Sequence, residues 1–360
     1  MVRRRRVIFL VLVILAGVAC QCREKAALPQ ENSIDRGAFV AVEERQDPAA
    51  EWGCNSSVDC VGDYMKFLDR ASRQAKPVTK AELEREFRQS GLTAPYRDRL
   101  PAEELREAII ERLNIGFLLD GWRERRLEVA VVASEPTPNG TKKRLLFRDP
   151  WVGRFPAILL LPAGEGPFPS VVAIHGHGQS ADTFLEDFPE VVRLQQQGFA
   201  ILIPTLRAVN ADANEDRVCR AFLQRGFTLL GLHVYEALLC RKYLAYLFGA
   251  QMPCGLLGHS GGSVDSSLII RLVDDFDAAV TDAVGYFIAD YHGLIIDEAV
   301  PKLHPYHGLI GDPTTGGVPV LAVPYGYELS WDRVFSFLDT HLDDPGRCTS
   351  PHRAESSDCW

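Results

Sequence analysis

The stretch Leu256-Leu257-Gly258-His259-Ser260-Gly261-Gly262-Ser263 decides the fold. Its centre fits the pattern G-x-S-x-G. A short apolar run, Gly255 to Leu257, precedes it, and a helical stretch, Ser263 to Asp274, follows. That context predicts a buried strand, a sharp turn and a helix, with Ser260 at the tip. The glycines have a physical reason. A serine on so tight a turn takes a strained backbone conformation, and bulky neighbours would collide. The turn lifts the hydroxyl clear of the sheet. The helix behind it offers backbone N–H groups and a positive dipole end to a developing oxyanion. The competing reading is a glycine-rich turn with an idle serine.

A second turn of the same kind lies upstream. The apolar run Val171-Val172-Ala173-Ile174 ends in His175-Gly176-His177-Gly178. In an acyl-transfer enzyme this turn carries the other oxyanion N–H, near His177. A strand followed by H-x-H also opens binuclear metallohydrolases, which continue to an Asp-His pair. Here Gln179 and Ser180 follow Gly178 instead. Further apolar runs are Phe199–Pro204, Ala278–Val284 and Val318–Val323. Helical stretches are Thr183–Gln197 with Pro189 as a break point, Phe227–Phe248, and Trp331–Leu342. Strands buried on both faces and alternating with helices predict an α/β domain with a mainly parallel sheet. Before them, Leu127–Ser134 and Lys142–Arg148 flank Pro136-Thr137-Pro138-Asn139-Gly140, a hairpin signal, and Phe155–Leu161 is a third strand. The sheet therefore opens antiparallel. Upstream again, Ser57–Ala75, Lys80–Ser90 and Leu100–Leu118 read as helices, with no function attached to them.

Together the two glycine-rich turns resemble the α/β-hydrolase superfamily, in its dienelactone-hydrolase-like and acetyl-xylan-esterase-like branch. The resemblance runs from about Leu127 to about Leu342. It starts at Gly166-Pro167-Phe168-Pro169 and passes through the helix around Gly231-Leu232-His233-Val234 to the Ser260 turn. It implies an α/β-hydrolase fold, with helices on both faces of the sheet. It implies Ser260 as nucleophile, oxyanion donors at His177 and Gly261, an acyl-enzyme on a carboxylic ester, and neither metal nor organic cofactor. A small ester, acetylated carbohydrate included, is the implied substrate. Peptidases share the fold.

A serine hydroxyl needs a base. In the family the order is Ser, acid, His, and the histidine sits in a loop after the last strand. If Val318–Val323 is that strand, the loop reads Tyr325-Gly326-Tyr327-Glu328, and Tyr327 stands where a histidine is expected. If it is the preceding strand, Glu328 falls at the acid position. His307 with Asp282 keeps the family order. His304 is the alternative base, and Asp312 and Glu328 are alternative acids. His341, on the closing helix, and His352, in the tail, are further choices, with His292 behind them. A fold that has lost turnover and serves as a binding lipoprotein is the alternative function. His304 and His307 as a metal pair are weakened by Pro305.

The N-terminus reads as an address. Arg3–Arg6 precede the apolar run Val7–Ala19, which ends in Gly17-Val18-Ala19 before Cys20. Basic start, short apolar core and small residues describe a secretory signal. The setting of Cys20 resembles a bacterial lipoprotein signal, in which that cysteine is lipidated. Residues 1–19 are then the signal, 20–56 a tether, 57–125 a helical region, 126–343 the hydrolase domain and 344–360 a tail. The expected location is the periplasm or cell envelope, held to the membrane by lipid alone. Nine cysteines in 360 residues are too few for a disulfide scaffold. In an oxidising compartment Cys54–Cys60, Cys348–Cys359 and Cys219–Cys240 are pairing options, against buried free thiols at Cys240 and Cys254. The net charge is −9, and Arg3–Arg6 belong to the signal, so the remaining body is more acidic still. That argues against a nucleic-acid partner. The charged fraction of 24% and apolar fraction of 46% are those of a folded protein.

Overall fold

The computed structural model of the chain describes residues 39–42, 101–207, 218, 222, 227–284, 318–324 and 328–342. All of them fall within one compact unit, Ile34–Trp360. The strands are β1 (Phe39–Val42), β2 (Leu127–Thr137), β3 (Gly140–Asp149), β4 (Gly153–Pro162), β5 (Ser170–Ile174), β6 (Ala200–Pro204), β7 (Cys254–Gly258), β8 (Ala278–Val284) and β9 (Val320–Pro324). The helices are α1 (Ala102–Leu113), α2 (Gly116–Leu119), α3 (Ala181–Asp187), α4 (Glu190–Gln196), α5 (Leu229–Phe248), α6 (Gly261–Leu272) and α7 (Trp331–Leu342).

The strands form one sheet in the order β1-β2-β3-β4-β6-β5-β7-β8-β9. The β2–β3, β3–β4 and β4–β6 pairs are antiparallel; β6–β5, β5–β7, β7–β8 and β8–β9 are parallel. An antiparallel opening that turns into a parallel half, with a swap of β5 and β6, is the α/β-hydrolase arrangement. Period-two burial explains why the parallel strands are apolar throughout. Val172, Ile174, Leu202, Leu256 and Ala279 face a core shared with α1, α5 and α6. Val171, Ala173, Ile201, Ile203, Leu257 and Val280 face a second core with α3, α4 and α7. Helix α5 is apolar nearly all round and buried along most of its length, as a central helix must be. Thr228 caps it, its Oγ1 accepting the Gly231 N–H at 3.0 Å.

Several boundaries differ from the sequence reading, each for a local reason. The stretch Leu100–Leu118 is not one helix. Asn114 takes the left-handed conformation (φ 53°), and the Ile115 N–H bonds back to Ile110 O at 3.3 Å, which closes α1. The stretch Thr183–Gln197 does split at Pro189, into α3 and α4. The hairpin strands run further than expected and leave only Pro138-Asn139 in the turn, with Thr137 opposite Gly140. Cys240 and Cys254 are both free and buried, so Cys240 does not bridge to Cys219. Burial raises both thiols' pKa values. Cys20, Cys22, Cys54, Cys60, Cys219, Cys348 and Cys359 lie outside the described residues. Trp122 is buried in the core.

Candidate active site

The two glycine-rich turns meet at the C-terminal ends of β5 and β7, where ligands bind in open α/β sheets. Register makes this so: Ile174 pairs with Gly258, so the residues after each emerge side by side. The His259 N–H donates to Ile174 O at 3.0 Å and ties the turns together. Gly176 lies hard against Ser260. A Cβ there would come within 2.8 Å of Ser260 Cβ. The outer glycines of the pentapeptide are equally constrained. A Cβ on Gly258 would lie 2.3 Å from Gly262 O, and one on Gly262 would lie 2.3 Å from Ile174 O. The pattern is therefore a packing requirement between turn, helix and neighbouring strand.

Ser260 has φ 52° and ψ −116°, immediately before α6. A non-glycine residue in so sparse a region costs ~1–3 kcal/mol. The strain is offset locally. The Ser260 N–H donates to Asp282 Oδ1 at 2.7 Å, a charge-assisted bond worth ~1.5–3 kcal/mol. Among the described residues no acceptor takes the Gly261 N–H and no side chain bonds the Ser260 hydroxyl. The Gly261 N–H thus stands unspent at the start of a helix, beside the serine, as an oxyanion donor does. The His177 ring leans over the same spot: its Nε2 would be 2.6 Å from a Cβ on Gly261.

His175 is structural. Its Nδ1–H donates to Gly176 O at 2.9 Å and its Nε2 accepts the Leu206 N–H at 3.0 Å, which fixes the tautomer. Both ring nitrogens are engaged, so this H-x-H pair does not present two free ligands for a metal. Below the turn, Arg207 and Glu236 form a fully buried ion pair, and His233 Nε2–H donates to Arg207 O at 2.8 Å. Desolvation outweighs the attraction of Arg207 and pushes the Glu236 carboxyl up to about 7. Nearby, Tyr235 donates to Asp149 Oδ2 at 3.2 Å and accepts from Arg125 at 2.8 Å, and burial drives the phenol pKa up. Burial also lowers the Lys242 ammonium to about 8, although its Nζ donates to Trp122 O and Arg125 O.

Of the residues singled out in the sequence, the structure brings together Ser260, Gly261, His177 and Asp282. The Asp282 carboxylate faces the Ser260 turn and also accepts from His259 Nδ1. His292, His304, His307, Asp312, Tyr327 and His352 lie outside the described residues. Glu328 is exposed just before α7. Among the described residues β9 is the last strand, at the sheet edge, and α7 follows it. The loop after it contains Tyr327 and no histidine. His341 sits at the wrong end of the molecule. Its neighbour Leu342 packs on Gly255 at the start of β7, whereas Trp331 at the other end of α7 packs on Phe188 beside His259.

Sequence reasoning places His259 beside the Ser260 turn without a side-chain role and gives Phe188 none. The ring centroids of Phe188 and His259 are 4.4 Å apart. The signal for His259 was the strand register: Gly258 pairs with Thr281, which sets the next residues, His259 and Asp282, beside each other.

A scan against protein-family models finds no match, and neither does a search of curated proteins. Solved structures with a similar fold include a candidate acetyl xylan esterase from Bacteroides fragilis (13% identity, 81% of this chain and 91% of that one, TM-score 0.48). An acetyl xylan esterase from a Thermoanaerobacterium species matches at 14% identity over 67% of this chain and 98% of its own, TM-score 0.47. A methylesterase matches at 13% identity over 79% and 69%, TM-score 0.45. The strand order, rather than these distant likenesses, carries the fold assignment.

Proposed function

We propose that the chain is an exported serine hydrolase that cleaves a carboxylic ester, a small acyl ester such as an acetyl ester, through an acyl-enzyme on Ser260. One observation carries this reading. Ser260 is held at φ 52° on a strand–turn–helix at the active edge of an α/β-hydrolase sheet, next to the unspent Gly261 N–H. In the forward step the Ser260 Oγ–C bond forms at the ester carbonyl while the hydroxyl proton passes to a histidine. The carbonyl oxygen gathers charge against the N–H groups of Gly261 and His177. The C–O bond to the alcohol then breaks, and the alcohol leaves with the proton. Water repeats the sequence on the acyl-enzyme and releases the acid.

The base is assigned to the segment between β8 and β9, to His307 first and His304 second. That segment joins two strands ending at the site, and the loop after β9 offers only Tyr327. Arg3–Arg6, the apolar run to Ala19 and Cys20 support export with a lipid anchor on Cys20, which loss of labelled palmitate in Cys20→Ser would test.

The direct test is hydrolysis of p-nitrophenyl acetate and butyrate by protein cut after Cys22, wild type against Ser260→Ala. The proposal expects turnover that Ser260→Ala abolishes and that falls with acyl length. A folded wild type with no turnover above buffer overturns it. Tyr327 at the usual histidine position would then favour a binding protein on the hydrolase fold.

A further inference from the structure

The Asp282 carboxylate is buried against the Ser260 turn, with 8% of its side chain exposed. Among the described residues, every donor that reaches it belongs to the Ser260 turn or to α6. The Ser260 N–H donates to Oδ1 at 2.7 Å. The Ser263 hydroxyl accepts the Asp282 N–H at 2.9 Å, and its own proton is shared between Asp282 Oδ1 at 2.8 Å and Gly258 O at 2.7 Å. His259 Nδ1–H donates to Oδ2. Phe188 and Phe184 flank the His259 ring, with centroids 4.4 and 6.2 Å away, and hold it against the carboxylate.

These bonds bracket the serine. Residues 258, 259, 260 and 263 are all tied to Asp282 or to Ser263, so strand end, nucleophile and first helical turn are fixed to β8. We propose that Asp282 is a positioning residue that clamps the Ser260 turn through Ser260 N–H, Ser263 and His259, rather than the carboxylate that orients the catalytic base. A histidine arriving from between β8 and β9 would have to share the Asp282 carboxylate with three donors already on it, Oδ2 with His259. This assignment rests on the serine-hydrolase reading for its kinetic consequences, but the clamp itself does not.

Two substitutions separate the roles. In Asp282→Asn the amide oxygen still accepts from Ser260 N–H and Ser263, while the amide NH2 faces His259 Nδ1, which can become an acceptor by moving its proton to Nε2. In Asp282→Ala every bond is lost. Diisopropyl fluorophosphate is the probe: Ser260 Oγ attacks phosphorus, fluoride leaves and the hydroxyl proton passes to the base. A clamp predicts that Asp282→Asn labels within about five-fold of wild type and Asp282→Ala at least about 100-fold more slowly. A triad acid changed to its amide loses about 10⁴-fold. Equal, severe loss in both variants therefore overturns the clamp, as does an Asp282→Ala that labels like wild type.

Hydrogen exchange at the Ser260 amide gives a readout free of catalysis. It should quicken about 100-fold in Asp282→Ala and stay protected in Asp282→Asn, with β5 unchanged. If Asp282→Ala does not fold, Ser263→Ala replaces it: labelling between that of wild type and one-hundredth of it supports the clamp, and no change overturns it. If wild type is not labelled at all, the serine reading fails by itself, and exchange at Ser260 still decides the clamp.

Discussion

Gly258→Ala and Gly261→Ala look alike in sequence and should behave very differently. At 258 the new methyl would lie 2.3 Å from Gly262 O, 2.3 Å from Ser266 Oγ and 2.7 Å from Gly262 C. Two of those are backbone atoms. Gly262 O is already accepting the Ser266 hydroxyl at 2.8 Å. Gly262 has no room to swing inward, because Ile174 O lies 2.3 Å from where a Cβ on it would sit. Relief means lifting the start of α6 off the sheet by roughly 1 Å. Overpacking of this kind costs ~1–3 kcal/mol, and losing the Ser266 bond adds ~1 kcal/mol. We expect ~3 kcal/mol in total, or a fall of roughly 6 °C in Tm. At 261 the nearest atoms are the tip of the His177 ring, at 2.6, 2.9 and 3.1 Å. A ring can rotate, so stability should fall by less than ~1 kcal/mol. The displaced imidazole nevertheless alters the surroundings of the Gly261 N–H, and on the proposed mechanism reactivity at Ser260 should fall. Urea unfolding of both variants measures the difference. A Gly258→Ala within ~0.5 kcal/mol of wild type, or a Gly261→Ala that costs as much, would refute the packing account of the motif.

The buried Glu236 makes stability depend on pH. Its folded pKa, about 7, lies above the unfolded value of 4.5, so its contribution is fully present below about 4.5 and lost as pH rises through about 7. At ~1.4 kcal/mol per unit this is ~3 kcal/mol. Glu236→Gln should lose less stability than wild type between pH 5 and pH 8, and parallel pH profiles in denaturant titrations would contradict this. Arg207→Met leaves the carboxylate unpaired and should cost ~3–5 kcal/mol at pH 8, with a smaller penalty at pH 5 where Glu236 is neutral; equal penalties at both pH values would count against it. His175→Phe strands the Leu206 N–H and should cost ~1–3 kcal/mol while slowing Ser260 labelling, because the turn against the nucleophile loses its support. A variant with unchanged stability and labelling would show that the turn is held by other contacts.

The alternation of apolar runs with helices was legible because runs such as Val171–Ile174 are short, rich in β-branched residues and followed closely by glycine, as strands buried on both faces are. The strand–turn–helix at Ser260 was legible because its glycines are sterically forced. The hairpin was located but its turn was misread. Asn139-Gly140 looks like the turn pair, yet Gly140 is the first residue of β3. Glycine is needed there because β4 comes so close that a Cβ would lie 2.0 Å from Leu161 O. Sequence spacing does not reveal that kind of constraint. The break at Asn114 was missed for a similar reason, since apolar periodicity continues through it while the backbone does not.

The site was half legible. Ser260 and the two turns declared themselves through local chemistry. The partnership of His259 with Asp282 did not, because it joins residues 23 positions apart and depends on the β7–β8 register. The base was the least legible part. If β9 corresponds to the last strand of the family pattern, Tyr327 stands where a histidine is expected, and nothing local distinguishes His307 from His304.

The most direct test of the central claim is peptide mapping of the fluorophosphonate adduct on folded wild-type protein, with Ser260→Ala in parallel. The account predicts one modified peptide, bearing the adduct on Ser260 and absent from the variant. An unmodified Ser260, or an adduct that persists in Ser260→Ala, would contradict it.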